Sequence, residues 1–76
     1  MKLKLTDLAK FDQAQVVSFE GLDADYIRRL MDLGIYQSAT ITVLNKLSFD
    51  RLYLIEVDNV EICIRRDDAM KIEVRK

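Results

Sequence analysis

Four arginines, one cysteine and two aromatic residues carry most of the chemistry this chain could offer. Arg28 and Arg29 form one adjacent pair, and Arg65 and Arg66 form another. Brought together, they would make a basic patch suited to phosphate or to an acidic protein surface, because a guanidinium fork binds carboxylates and phosphates bidentately. The competing reading is a solvated surface in which they pair with Asp32, Asp67 and Asp68, an arrangement that stabilises little. Cys63 could in principle ligate a metal or react as a thiolate. The chain has no histidine and no second cysteine, so the expectation is a small side chain packed beside a helix or partly exposed. Met31 is expected to fill the core rather than serve as a soft ligand. Tyr36 and Phe49 stand outside regular strand alternation. Phe49 either folds back to cap one end of the core or anchors a partner, and both readings stand at this point.

No histidine, no glycine-rich phosphate loop and no paired nucleophile and base is present. The expectation is a non-enzyme with no catalytic residues, no cofactor and no tight metal site; carboxylates alone could hold a hard divalent ion weakly. The net charge of −1 does not suit a nucleic-acid binder, whose affinity comes mainly from neutralised phosphates. At 76 residues the expectation is one domain. A chain of that size buries only about 60% of its unfolded surface, so its core must be apolar-rich, and 50% of the residues are hydrophobic. No run is long enough to span a membrane, and Met1 to Asp7 lack the apolar region of a signal peptide. The location expected is cytosolic.

The elements that must position these residues are short. Asp23 to Ile35 reads as an amphipathic helix marked at both ends. Asp23 is a good N-cap, Asp25 lies near the positive end of the dipole, and capping accounts for both carboxylates. Leu22 and Ile27 have the spacing of a hydrophobic staple. Ile27, Leu30 and Met31 fall on one face, flanked by Tyr26 and Leu33. Gly34 is the expected left-handed stop, with Ile35 folding back onto Leu30. Leu3, Leu5 and Leu8 are the first apolar anchors, and Thr6-Asp7 reads as a turn or short helical start. Ala14 to Phe19 reads as a strand whose adjacent valines, Val16 and Val17, suggest a bulge; Glu20-Gly21 ends it.

Ala39 to Leu44 alternates as a half-buried strand, Asn45 to Arg51 reads as a loop, and Leu52 to Val57 with Val60 to Arg65 as a hairpin turning at Asp58-Asn59. Arg66 to Met70 fits one helical turn, and Lys71 to Arg75 closes the chain as a strand. Ile41, Val43, Ile55, Val57, Ile62, Ile64, Ile72 and Val74 are expected to share one core with Ile27, Leu30 and Leu33. The fold expected is mainly β: a small, bent barrel of about five strands with one inserted helix, which leaves few sheet edges open.

Arg29 to Ile35, with its Arg-Leu-x-x-Leu-Gly-Ile spacing, is followed by Ile41-Thr42-Val43-Leu44. Together with Leu5-Thr6-Asp7-Leu8, Ile62 to Ala69 and Ile72-Glu73-Val74, this order of segments resembles the FeoA family, the small cytosolic component of bacterial ferrous-iron uptake. The family often has glycine where this chain has Phe11, Pro-Gly where it has Gln37-Ser38, and glycine at Asn59. The resemblance implies an SH3-like barrel that binds or modulates FeoB, a membrane iron transporter with a cytosolic GTPase domain. The partner surface would then draw on Arg28, Arg29, Tyr36, Phe49, Arg65 and Arg66. The same module ends metal-dependent repressors resembling DtxR, but a chain of this length leaves no room for their helix-turn-helix. The alternatives are an SH3-like or Sm-like nucleic-acid-binding barrel and a module that binds transition metal directly.

Overall fold

The computed structural model describes residues 3–19 and 21–76. Six strands form one antiparallel sheet: β1 (Leu3–Lys4), β2 (Gln13–Ser18), β3 (Thr40–Leu47), β4 (Leu52–Val57), β5 (Val60–Arg65) and β6 (Glu73–Arg75). Their order across the sheet is β1-β6-β2-β3-β4-β5. The sheet curls without closing, so β1 and β5 remain its edges. The expected small SH3-like barrel is present with a sixth strand added. Leu3 pairs with Val74 and Lys4 with Glu73, and the Leu5 amide donates to the Ile72 carbonyl at 2.9 Å. Leu5 to Asp7 then form a single 3-10 turn.

Two irregularities bend the sheet. Against β6, β2 slips between Val16 and Ser18, the bulge that the adjacent valines suggested. The strand end expected at Glu20 lies outside the described residues. Against β4, β3 slips between Val43 and Asn45. This second slip explains why Asn45 to Leu47 belong to a strand rather than to the expected loop. A bulge adds one residue and inverts the inward and outward alternation beyond it, so the period-2 pattern that marks a strand is broken at Leu44. Asp58 and Asn59 both have positive φ, 51° and 69°, the type I′ turn that matches strand twist.

The helix α1 (Ala24–Asp32) carries the expected caps. The Asp23 carboxylate accepts from the Asp25 amide at 2.9 Å. Gly34 has φ +100°, and the amides of Gly34 and Ile35 donate to the carbonyls of Met31 (3.0 Å) and Leu30 (2.8 Å), a complete Schellman end. The buried face differs from the expected one. Leu30 is buried and Tyr26 and Leu22 pack against the core, but Met31 is 50% exposed and Leu33 44% exposed, and Ile27 is half-buried. The face centres on Tyr26 and Leu30, one turn apart. Ile27 and Met31 lie roughly 100° further round, on its margin. Leu33 is the C-cap residue, where the chain is already leaving the helix.

The core is the expected strand set, Ile41, Val43, Ile55, Val57, Ile62, Ile64, Ile72 and Val74, joined by Leu5, Leu8, Leu30 and Ile35. A second helical turn, α2 (Arg66–Ala69), links β5 to β6 and buries Ala69.

Candidate functional site

Several of the candidate side chains lie at the end of the sheet where β3 turns into β4. Ser48, Phe49 and Asp50 there have φ of 53°, 58° and 66°, three consecutive left-handed residues with no glycine among them. Each such residue costs on the order of 1–2 kcal/mol for a chiral side chain. The turn is held by the Arg51 amide, which donates to the carbonyls of Leu47 (3.1 Å) and Ser48 (3.2 Å). Its result is a phenylalanine in water: Phe49 is 99% exposed. The capping reading of Phe49 is therefore wrong, since a ring that covers the core cannot be fully solvated.

Arg51 follows, and its carbonyl accepts from the Arg66 amide at 2.8 Å. That bond ties the Phe49 turn to the start of α2. Between them lies an open groove of about 450 Å³ lined by Arg51, Leu52, Arg65, Arg66 and Asp67. Three arginines and one aspartate thus line one groove. The expected pairing of arginines with Asp32, Asp67 and Asp68 does not form: among the described residues the ion pair within 4.0 Å is Lys76 to Asp12, at 2.9 Å. Chemically, the groove offers bidentate donors for carboxylate or phosphate beside an exposed aromatic ring.

Tyr26 joins α1 to this end. Burial against the core, and then the Asp68 charge beside it, raise its phenol above the usual range, with Arg65 and Arg29 acting the other way. The phenol is thus neutral at physiological pH, and Arg29 and Arg65 both lie close enough to act on it. Of the residues singled out by sequence, Arg65 and Arg66 line the groove and Phe49 stands in the turn that leads into it through Arg51; Arg29 acts on Tyr26 but is not among the lining residues. Arg28 is exposed on α1 and is not among the residues lining the groove. Tyr36, 47% exposed, precedes β3, whereas Phe49 follows it. The eight-residue strand β3 lies between the two.

Arg51 is the residue that sequence reasoning missed. The two-residue turn at Asp58-Asn59 contained the signal, because it fixes the register that sets Leu52 against Arg65 and hence Arg51 against Arg66. Cys63 is exposed in the middle of β5, between Glu61 and Arg65. Among the described residues, no three of His, Cys, Asp and Glu cluster closely enough to hold a metal ion, and no helix is long and apolar enough to cross a membrane.

Comparison with known proteins gives this geometry a context. The family model described as the FeoA domain matches residues 3–76. The chain is 31% identical over 72 residues to the Fe(2+) transport protein A/Fe(2+) transporter FeoB fusion protein of Porphyromonas gingivalis, a match covering 95% of this chain and 8% of that protein. This chain therefore spans less than a tenth of that relative. The solution structure of the FeoA protein from Chlorobium tepidum superposes with a TM-score of 0.90 at 30% identity, over 96% of this chain and 69% of that one. A manganese-dependent transcriptional repressor shares the fold alone, with a TM-score of 0.86 at 19% identity over 99% of this chain and 41% of that one.

Proposed function

This chain belongs to the FeoA domain family, and from that premise we propose that it is a non-enzymatic accessory of ferrous-iron transport. It acts in the cytosol by docking on a FeoB-like membrane transporter. The observation that carries this reading is the match to the fusion protein, which extends along 95% of this chain: two modules joined in one polypeptide must work in the same place. The docking end is the one built from Phe49, Arg51, Arg65 and Arg66. An interface needs a few apolar anchors that become buried and a polar rim that excludes wrong partners. Phe49 is the anchor, already held out by a turn that costs conformational energy to form. The arginines, without an ion-pair partner among the described residues, are the rim, and they favour an acidic surface.

The test is binding of the purified transporter in detergent micelles to this protein immobilised on a sensor. Phe49→Ala is expected to weaken binding about tenfold or more, as for an anchor residue, with an unchanged melting temperature because the ring makes no core contact. A variant that binds like wild type would remove Phe49 from the interface, and wild-type protein that captures no transporter would end the reading itself.

A further inference from the structure

The outer strand β5 is an edge of the sheet, and its hydrogen-bonding phase can be read from its neighbours. The Arg66 amide bonds to the Arg51 carbonyl at 2.8 Å, on the same register that sets Val57 against Val60 and Ile55 against Ile62. Antiparallel pairs alternate between bonded and non-bonded positions. The backbone groups of Val60, Ile62 and Ile64 therefore turn toward β4, and those of Glu61, Cys63 and Arg65 turn to the open edge. All three of the latter are exposed. Their amides make no hydrogen bond to a turn, loop or side chain among the described residues.

Among the described residues, neither Glu61 nor Arg65 has an ion-pair partner on this edge. Glu61 stands directly opposite Glu56, a like-charge pair of the kind that destabilises a sheet. Arg65 stands opposite Leu52. Sheet edges are commonly guarded by charges that repel a second copy, but opposite charges placed evenly about a central residue do the reverse. A two-fold axis through Cys63 sets Glu61 against Arg65 of the second copy, and Arg65 against its Glu61. Registers shifted further in either direction bring Glu61 against Glu61 or Arg65 against Arg65, and the intermediate shifts leave both charges unmatched.

We propose that β5 pairs antiparallel with β5 of a second copy about Cys63, forming a symmetric dimer with one continuous sheet and two Glu61–Arg65 pairs between the copies. Such an isologous contact uses the same patch on both molecules. It relieves the Glu56–Glu61 opposition by giving Glu61 a cation. It also draws Arg65 away from the groove beside Phe49, so self-association and docking share one side chain. The inference stands independently of the transporter reading, because it rests on the edge and its charges alone.

Sedimentation of the full chain from about 1 µM to about 1 mM, the span of weak association, is expected to show a monomer–dimer equilibrium. Glu61→Arg and Arg65→Glu each create two like-charge oppositions and should weaken the dimer by about tenfold or more. The double substitution Glu61→Arg/Arg65→Glu should restore it; Glu61→Arg also ends the opposition with Glu56, so its dilute monomer should melt no lower than wild type. Cys63 supplies an independent readout. Bonded antiparallel partners have Cα atoms about 5.5 Å apart, within the range a disulfide accepts. Diamide, which takes up two electrons and two protons as two thiols join, should cross-link dilute wild type much faster than Arg65→Glu. A wild-type monomer across the whole range overturns the proposal and leaves the edge to another protein's strand. A dimer indifferent to both charge reversals, or equal cross-linking in wild type and variant, overturns it as well.

Discussion

Asp12 ties together two parts of the chain while remaining on the surface. Its Oδ2 accepts from the Ala9 amide at 2.8 Å and from Lys76 Nζ at 2.9 Å, so the connection before β2 is held to the last residue. The Ala9 amide first, and then Lys76, hold its carboxyl below the ordinary value of 3.8. A group whose folded value is depressed stabilises the fold above its unfolded value, and that contribution is lost as pH falls through the folded one. Asp12→Asn keeps an acceptor for Ala9 and removes the charge. Its melting temperature is expected to fall below wild type at neutral pH, with the gap closing as the pH is taken below 3.8. A gap that stays constant in melts across that range would disprove the linkage.

Other single residues show why part of the chain was opaque. Phe11, Ser38 and Asn59 have φ of 72°, 79° and 69°, at the places where the family pattern often carries glycine. The backbone keeps the left-handed conformation although the residue that signals it has gone. Asn59 still hints at it, but a phenylalanine gives no sign of a left-handed position. The same holds at Ser48, Phe49 and Asp50, which is why the side on which Phe49 would lie was undecidable from residue types.

At the scale of elements, α1 was legible because its signals are local. Asp23, Gly34 and Ile35 act within one turn of the helix ends, and each does what its residue type predicts. Which side chains meet the core depends on how the helix lies on the sheet, and the pattern Ile27, Leu30, Met31, Leu33 does not contain that. Tyr26 and Leu30 are the true contact line. Leu30→Ala is therefore expected to cost about 2–5 kcal/mol, whereas Met31→Ala, at a half-exposed site, should cost well under that. Gly34→Val should cost about 1–2 kcal/mol from its left-handed backbone. Steric crowding adds little there, since a Cβ at Gly34 would meet only Val57, at 4.0 Å. Urea titration checks all three, and a Met31→Ala loss as large as that of Leu30→Ala would contradict the packing. The strand β3 was less legible for the opposite reason: its far half is defined by pairing across the sheet, and the bulge at Leu44 hides that from a local reading.

At the scale of the whole molecule, the topology separates two ends that the sequence had left free to meet. β3 runs between them, with Tyr36 before its start and Phe49 beyond its finish, so the two mark separate candidate anchors. The arginines decide between them. Arg51, Arg65 and Arg66 line the groove that follows the Phe49 turn. Opposite charges steer encounter before contact is made, so a rim charge governs association rate and its sensitivity to salt more than dissociation. Exposed charges are screened over about 10 Å at 0.1 M salt, which confines that influence to one end of the molecule. Arg51→Glu is therefore expected to slow association with the transporter several-fold and to flatten its dependence on ionic strength, with little change in dissociation. Tyr36→Ala, at the far end, should leave both rates as they are. Surface-binding kinetics at several salt concentrations distinguish the two ends. If Tyr36→Ala speeds dissociation while Arg51→Glu leaves association and its salt dependence intact, docking takes place at the Tyr36 end and the arginine groove has some other occupant.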